Sequence, residues 1–243
     1  MSWFNHNKWA LVVIAVVVSM VLIAAGVWIN SQKPPLYITD GDETIPGSFL
    51  VQTHKFNPDD FSVSGSTVSL SRARNIILTA QGGTPSTTSG CAEPVVVEFS
   101  TNKVDTYFLD FDSTSDEYAF WCNIVLPDEY GTGGVYTMTA RFYWTCSGGT
   151  GAVTWGIQSR AYADSDAIDQ AWGTAVWIND SCGTTNDVCI TSETSAMTIA
   201  GSPAGGNLAC FRVVRDADDS EGLGDTLAFD ARLMAVKLVF SSK

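Results

Sequence analysis

Polar and apolar residues alternate along much of the chain after residue 60, and an unbroken apolar run precedes that region. From Tyr136, the even positions Tyr136, Met138, Ala140, Phe142, Trp144 and Cys146 are apolar. The intervening Thr137, Thr139, Arg141, Tyr143 and Thr145 are largely polar. A period of two sends successive side chains to opposite faces, as a half-buried antiparallel strand requires. Tyr118, Phe120, Cys122, Ile124 and Leu126 share one parity before Pro127. Val153, Trp155 and Ile157 oppose Thr154, Gln158 and Arg160, and Val95, Val97 and Phe99 oppose Glu98 and Ser100. Further strands are predicted at 67–70, 75–79, 107–111, 197–199, 208–214 and 233–240, between Gly- and Asp-rich turns. Only 164–171 reads as helical, one or two turns lying over the sheets. Short strands with one stray helix predict an all-β, jelly-roll-like antiparallel β-sandwich, with an immunoglobulin-type sandwich as the second choice.

Residues 10–29 (ALVVIAVVVSMVLIAAGVWI) carry no charge. At about 1.5 Å per residue, such a run spans the roughly 30 Å hydrocarbon core of a bilayer. Trp3, Phe4 and Trp9 flank it on one side and Trp28 on the other, where aromatic belts belong. The run is too long for a cleaved signal, and Val27-Trp28-Ile29-Asn30 offers no small-x-small cleavage site. One N-terminal transmembrane helix is therefore expected, with membrane lipid as its first partner. Ala24-Ala25-Gly26 forms a small-residue patch where another subunit's helix can approach closely. The organisation that follows is a short cytoplasmic tail at 1–9, the span at 10–29, an extended stalk at 30–60 and an ectodomain at 61–243. Pro34-Pro35 stiffens the start of the stalk.

Charge and cysteines set the surroundings. The first 29 residues carry only Lys8, which leaves 12 basic and 26 acidic residues beyond them, a net charge of −14. That field repels the phosphate backbone of nucleic acid, so no nucleic-acid partner is expected. Lys8 and Lys33 nearly balance across the span, so the cysteines decide the orientation. All six (Cys91, Cys122, Cys146, Cys182, Cys189 and Cys210) follow the span, which suits an oxidising compartment. The expected arrangement is a cytoplasmic N-terminus and a periplasmic or extracellular C-terminal domain. Cys182 and Cys189 bracket a small polar loop and make the best local pair. Cys122 and Cys146 share the inward parity of their strands, and either pair or stay as separate buried thiols. Cys91 and Cys210 then remain, paired by elimination.

Catalytic chemistry finds little support. Beyond the span there is a single histidine, His54, in the region of the stalk or first strand, and no nucleophile elbow accompanies it. Cys-x-x-Cys and His-x-x-x-His spacings are missing, as are phosphate-cradling and dinucleotide motifs. No enzymatic activity and no organic cofactor are expected. Asp216, Asp218, Asp219, Glu221 and Asp225 cluster in a Gly-containing loop and supply the oxygen ligands that calcium uses. Glu221 stands where an EF-hand needs Gly, so a solvated acidic turn is the alternative reading. Asp164, Asp166 and Asp169 read as carboxylates favoured at a helix start. Tyr143 falls on the polar parity of its strand, and Trp172 and Trp177 lie near loops. These three are the candidate contacts for a glycan or protein partner, whereas Trp144 and Trp155 belong to the core. Asn179-Asp180-Ser181 is a glycosylation sequon.

The C-terminal third carries a recurring ending: Thr198-Ile199-Ala200-Gly201-Ser202-Pro203, then Leu208-Ala209-Cys210-Phe211-Arg212-Val213-Val214-Arg215-Asp216, then Asp230-Ala231-Arg232-Leu233. With Leu126-Pro127-Asp128-Glu129-Tyr130 and Trp155-Gly156-Ile157, this resembles jelly-roll structural proteins of bacteriophages and environmental viruses over roughly residues 95–240. The resemblance implies a jelly-roll fold and a structural or surface-display role, with no active site to carry over. The anchor and the six cysteines depart from that group. The expectation is a non-enzymatic, single-pass accessory or structural subunit of a larger membrane-associated assembly. Two alternatives stand beside it: a membrane-anchored capsid or spike protein of a lipid-containing virus, and a cell-surface carbohydrate-binding or adhesion module.

Overall fold

Two antiparallel sheets face each other, and the alternation of their strands fills the space between them. The computed structural model describes residues 61–64, 67–70, 74–128, 130–131 and 137–241. The expected span with Trp9, Gly26 and Trp28, the stalk with His54, and Tyr136 lie outside the described residues. Among the described residues no helix is long and apolar enough to cross a membrane.

A hairpin of β1 (Phe61–Ser64) and β2 (Thr67–Leu70) leads into β3 (Arg74–Thr79) and the short β4 (Thr84–Pro85). β5 (Val95–Phe99) and β6 (Val104–Phe111) form a second hairpin, followed by β7 (Glu117–Val125), β8 (Thr137–Cys146) and β9 (Gly151–Tyr162). β10 (Val176–Cys182), the two-residue β11 (Cys189–Ile190), β12 (Leu208–Arg215) and β13 (Ala231–Ser241) complete the set. One sheet has the order β10-β9-β12-β7-β4 and the other β11-β8-β13-β6-β5, with β3 also pairing β13. The all-β sandwich expectation is met.

β8 and β9 behave as their alternation predicts. Met138, Ala140, Phe142, Trp144 and Cys146 are fully buried, as are Val153, Trp155 and Ile157. Trp155 stacks on Phe142 at 5.6 Å between centroids and meets the edges of Phe111 and Trp144. Trp144 Nε1 donates to Asp180 Oδ2 at 2.9 Å, so its one polar atom is satisfied.

β7 departs from the expected parity. Its inward residues are Ala119 and Trp121, then Ile124 and Leu126, because β7 bulges at Cys122–Asn123 opposite Cys210. An extra residue on one strand of a pair shifts the register and reverses which parity faces the core. Cys122 is consequently exposed rather than inward. β13 does the same at Met234: Leu233 faces inward before it, and Val236, Leu238 and Phe240 after it.

Two further expectations are corrected. The 164–171 segment is not helical. Asp166 Oδ2 accepts the Ala163 N–H at 2.8 Å, Gln170 donates to the Ala167 carbonyl, and Ser165 has a φ of 68°. Side chains compete here for the backbone groups that a helix would need, and so short a segment gains little from helix propagation. A strand at 197–199 is likewise absent. The chain from Thr191 to Met197 instead follows the edge of β8, with the Thr191 and Thr194 hydroxyls accepting the Phe142 and Ala140 N–H groups. That edge is thereby covered without a continuous partner strand.

Candidate functional site

The acidic loop after β12 is organised by Arg215, a side chain fully shielded from solvent. Arg215 lies on an inward parity, and its charge is met by Asp225 in a two-pronged pair: Nε to Oδ2 at 3.0 Å and Nη2 to Oδ1 at 2.8 Å. Its remaining donors reach the carbonyls of Phe111, Phe229 and Leu227. Asp216, equally buried, accepts from Ser220 N, Ser220 Oγ and Glu221 N. Asp218 accepts from Ser220 N, and Asp219 from Gly224 N and Asp225 N. Most of the carboxylates proposed for calcium are thus engaged by the loop's own backbone.

Three carboxylates do approach one another. Oxygens of Asp116, Asp216 and Asp218 lie within 4.8 Å of each other. Asp116, which precedes β7, was not legible as a member because a hundred residues separate it from the others. Burial, and then the charges of Asp218 and Asp216, raise its pKa. It also accepts the Ala217 N–H at 2.9 Å. Glu221 and Asp225 do not join this group: Asp225 is spoken for by Arg215.

Cysteine pairing follows the expectation at one place and departs from it at another. Cys182 and Cys189 form a disulfide, which ties the end of β10 to β11 across the two sheets. Cys122 pairs with Cys210 across the bulge between β7 and β12, while Cys91 and Cys146 are free and buried. The pairing of Cys91 with Cys210 is therefore overturned, because the bulge places Cys122 opposite Cys210. Burial, with Glu117 next, pushes the Cys91 thiol up to about 12, so it stays protonated at neutral pH.

The three aromatic candidates are not one patch. Tyr143 belongs to β8 and Trp177 to β10, so they lie in different sheets. Trp177 lies over Gly156, where a Cβ would sit 2.2 Å from its ring. Trp172 packs against Phe120 at 5.8 Å, and the Arg212 guanidinium sits 4.9 Å from both the Trp172 and Tyr118 rings. Gln158 accepts from Arg212 and donates to the Gly173 carbonyl, fixing the β9–β10 connection onto the sheet. Trp172 and Trp177 are half-buried on one sheet's outer face. Asn179 of the sequon lies in β10, with its amide donating to Thr154 Oγ1.

The β5–β6 hairpin has an unusually apolar surface. Val95 is 42% exposed, Val96 45%, Val104 52% and Tyr107 40%. β5 ends its sheet and has no strand on its far side among the described residues. Beside it Phe99, Val104, Phe108, Val188 and Met234, with Thr106, Thr145 and Asn186, line a mostly apolar hollow of about 290 Å³. The hairpin's polar residues include the exposed Lys103–Glu98 pair at 2.7 Å and the exposed Asp105. No model of a known protein family matches the chain, and a search of curated proteins finds no match.

Proposed function

We propose that this chain is a non-enzymatic, single-pass membrane protein whose jelly-roll-like domain stands outside the membrane as an accessory or structural subunit of a larger assembly. The observation that carries the reading is the β5–β6 hairpin. Val95 and Val96 on the free edge strand and Val104 and Tyr107 on the neighbouring β6, all exposed and next to a mostly apolar hollow, are what a subunit contact presents. The uncharged run at 10–29 supports the anchor, and two disulfides suit an oxidising compartment. Strand order supports the jelly-roll reading. Eight strands fall into two interleaved sets, β6-β13-β8-β11 and β7-β12-β9-β10, and the chain crosses between them as a double Greek key does.

The test is to solubilise native membranes in mild detergent, separate them on a density gradient and identify what comigrates by mass spectrometry. Comigration at a fixed ratio with an integral membrane complex is expected. Recovery only as a free monomer would sink the reading. The same strand orders also favour a second one, since viral capsids use this architecture. Sedimentation with nuclease-resistant nucleic acid and other virion proteins would make the chain an anchored coat or spike component.

A further inference from the structure

β12 has two ends, and the one at Leu208 opens onto a groove of about 490 Å³, within the size range of small-molecule sites. Its floor is the Cys122–Cys210 disulfide. The β7 bulge presents Asn123 to this groove, and a second hollow of about 360 Å³ shares Cys122 and Asn123. Bulges recur beside binding sites because they re-aim a side chain that a regular strand would point elsewhere.

The groove's polar side chains face solvent: Asn123, Asp164 and Asp166 are exposed and Asn207 is half-buried. Asn123 has no hydrogen-bond partner among the described residues. Asp164 meets only the Ser165 hydroxyl, at 3.4 Å, through Oδ2. Asp166 Oδ2 accepts the Ala163 N–H and Asn207 Oδ1 accepts the Ala204 N–H, each at 2.8 Å. Asp164 Oδ1 and Asp166 Oδ1 are left as acceptors, and the Asn123 and Asn207 amide nitrogens as donors. A hydroxyl both donates and accepts, so neighbouring hydroxyls on one ring match this set. Apolar surface lies alongside: Tyr162 and Leu208 are register partners at the ends of β9 and β12, and Ile168 is 85% exposed at the rim. The Arg160 guanidinium lies over the Tyr162 ring at 5.6 Å from its centroid, so one aromatic face at most, beside the amides and carboxylates, meets a ring with apolar C–H faces and a polar edge.

We propose that this groove binds a neutral oligosaccharide, held by Asn123, Asn207, Asp164 and Asp166 against the Tyr162–Leu208 ledge. The two carboxylates and the acidic ectodomain repel anionic sugars. The site does not depend on the subunit reading, because the β5–β6 hairpin and this groove share no residue.

The experiment titrates the purified full-length chain, in mild detergent, with mannotriose, lactose, maltotriose and diacetylchitobiose by calorimetry. Sialyllactose is the anionic comparator. At least one neutral sugar is expected to bind with a dissociation constant below roughly 10 mM. The Asn123→Ala, Asp164→Ala double variant should bind it about tenfold more weakly at unchanged melting temperature, since neither side chain supports the fold. Ile168→Glu, at a fully superficial position, should weaken binding in the same direction. Three results would overturn the proposal: no neutral sugar binding at that concentration, preference for sialyllactose, or undiminished binding by both variants.

Discussion

Two acidic loops lie at opposite ends of β12, one following it and one following β9 beside Leu208, and they solve the same problem in opposite ways. At the Arg215 end, Asp216, Asp218, Asp219 and Asp225 accept hydrogen bonds from their own loop or from a buried guanidinium. At the Leu208 end, Asp164, Asp166, Asn123 and Asn207 keep polar atoms unspent around a groove. The difference teaches that density of carboxylates along a sequence is a poor guide to a site. What counts is whether the backbone has already claimed them.

The sharpest way to stress the comparison is to remove what holds each end. Replacing both Cys122 and Cys210 by Ser releases a cross-link between residues 88 apart in sequence. A loop of that length is worth about 4–5 kcal/mol on chain-entropy grounds, against about 2–3 kcal/mol for the short Cys182–Cys189 loop. Urea denaturation of the two double variants should rank them in that order, and equal losses would contradict the entropic account. At the other end, Asp225→Ala leaves the Arg215 guanidinium buried without its counter-charge. The expected loss is about 3–5 kcal/mol, read by the same denaturation.

Smaller effects separate a closed loop from a metal site. Asp116 has its pKa raised by burial and by two neighbouring carboxylates, so the folded state holds its proton more tightly than the unfolded chain. Its penalty is absent at low pH and grows as pH rises from the ordinary carboxylate range through the raised value. Asp116→Asn should therefore be the more stable protein at neutral pH, with the advantage vanishing on acidification. The gain is expected to be only a few tenths of a kcal/mol because solvent screens this half-exposed group. Adding millimolar calcium should leave the melting temperature of the wild-type protein unchanged, since Asp216 and Asp225 are committed elsewhere. A calcium-dependent rise abolished by Asp116→Asn would reverse that conclusion.

Sequence legibility followed the regularity of the strands. In β8 and the first half of β9 the inward residues, Met138 to Cys146 on even positions and Val153, Trp155 and Ile157, are apolar and buried, so those strands were readable from alternation, although Thr145, Thr154 and Gly156 on the other parity are shielded as well. β7 and β13 broke the rule because one extra residue in each reverses the inward parity midway, and no local composition announces a bulge. β10 went unread because Asn179 and Asp180 interrupt an edge strand with residues that favour turns. The groove was hidden for the same physical reasons. Asp164 and Asp166 looked like the first turn of a helix, and Asn123 reaches the site only through the bulge. Trp172 and Trp177 drew attention as large side chains near loops, and both are half-buried on one sheet's outer face.

The central claim, that the chain works as a subunit through its free sheet edge, is tested most directly by hydroxyl-radical footprinting of the β5–β6 hairpin. Modification of Val95, Val96, Val104 and Tyr107 would be compared in native membranes and in the purified chain. The account expects these four side chains to be protected in membranes and labelled after purification, while Ile77, exposed on β3, is labelled equally in both. Equal labelling of the hairpin in the two states would contradict it.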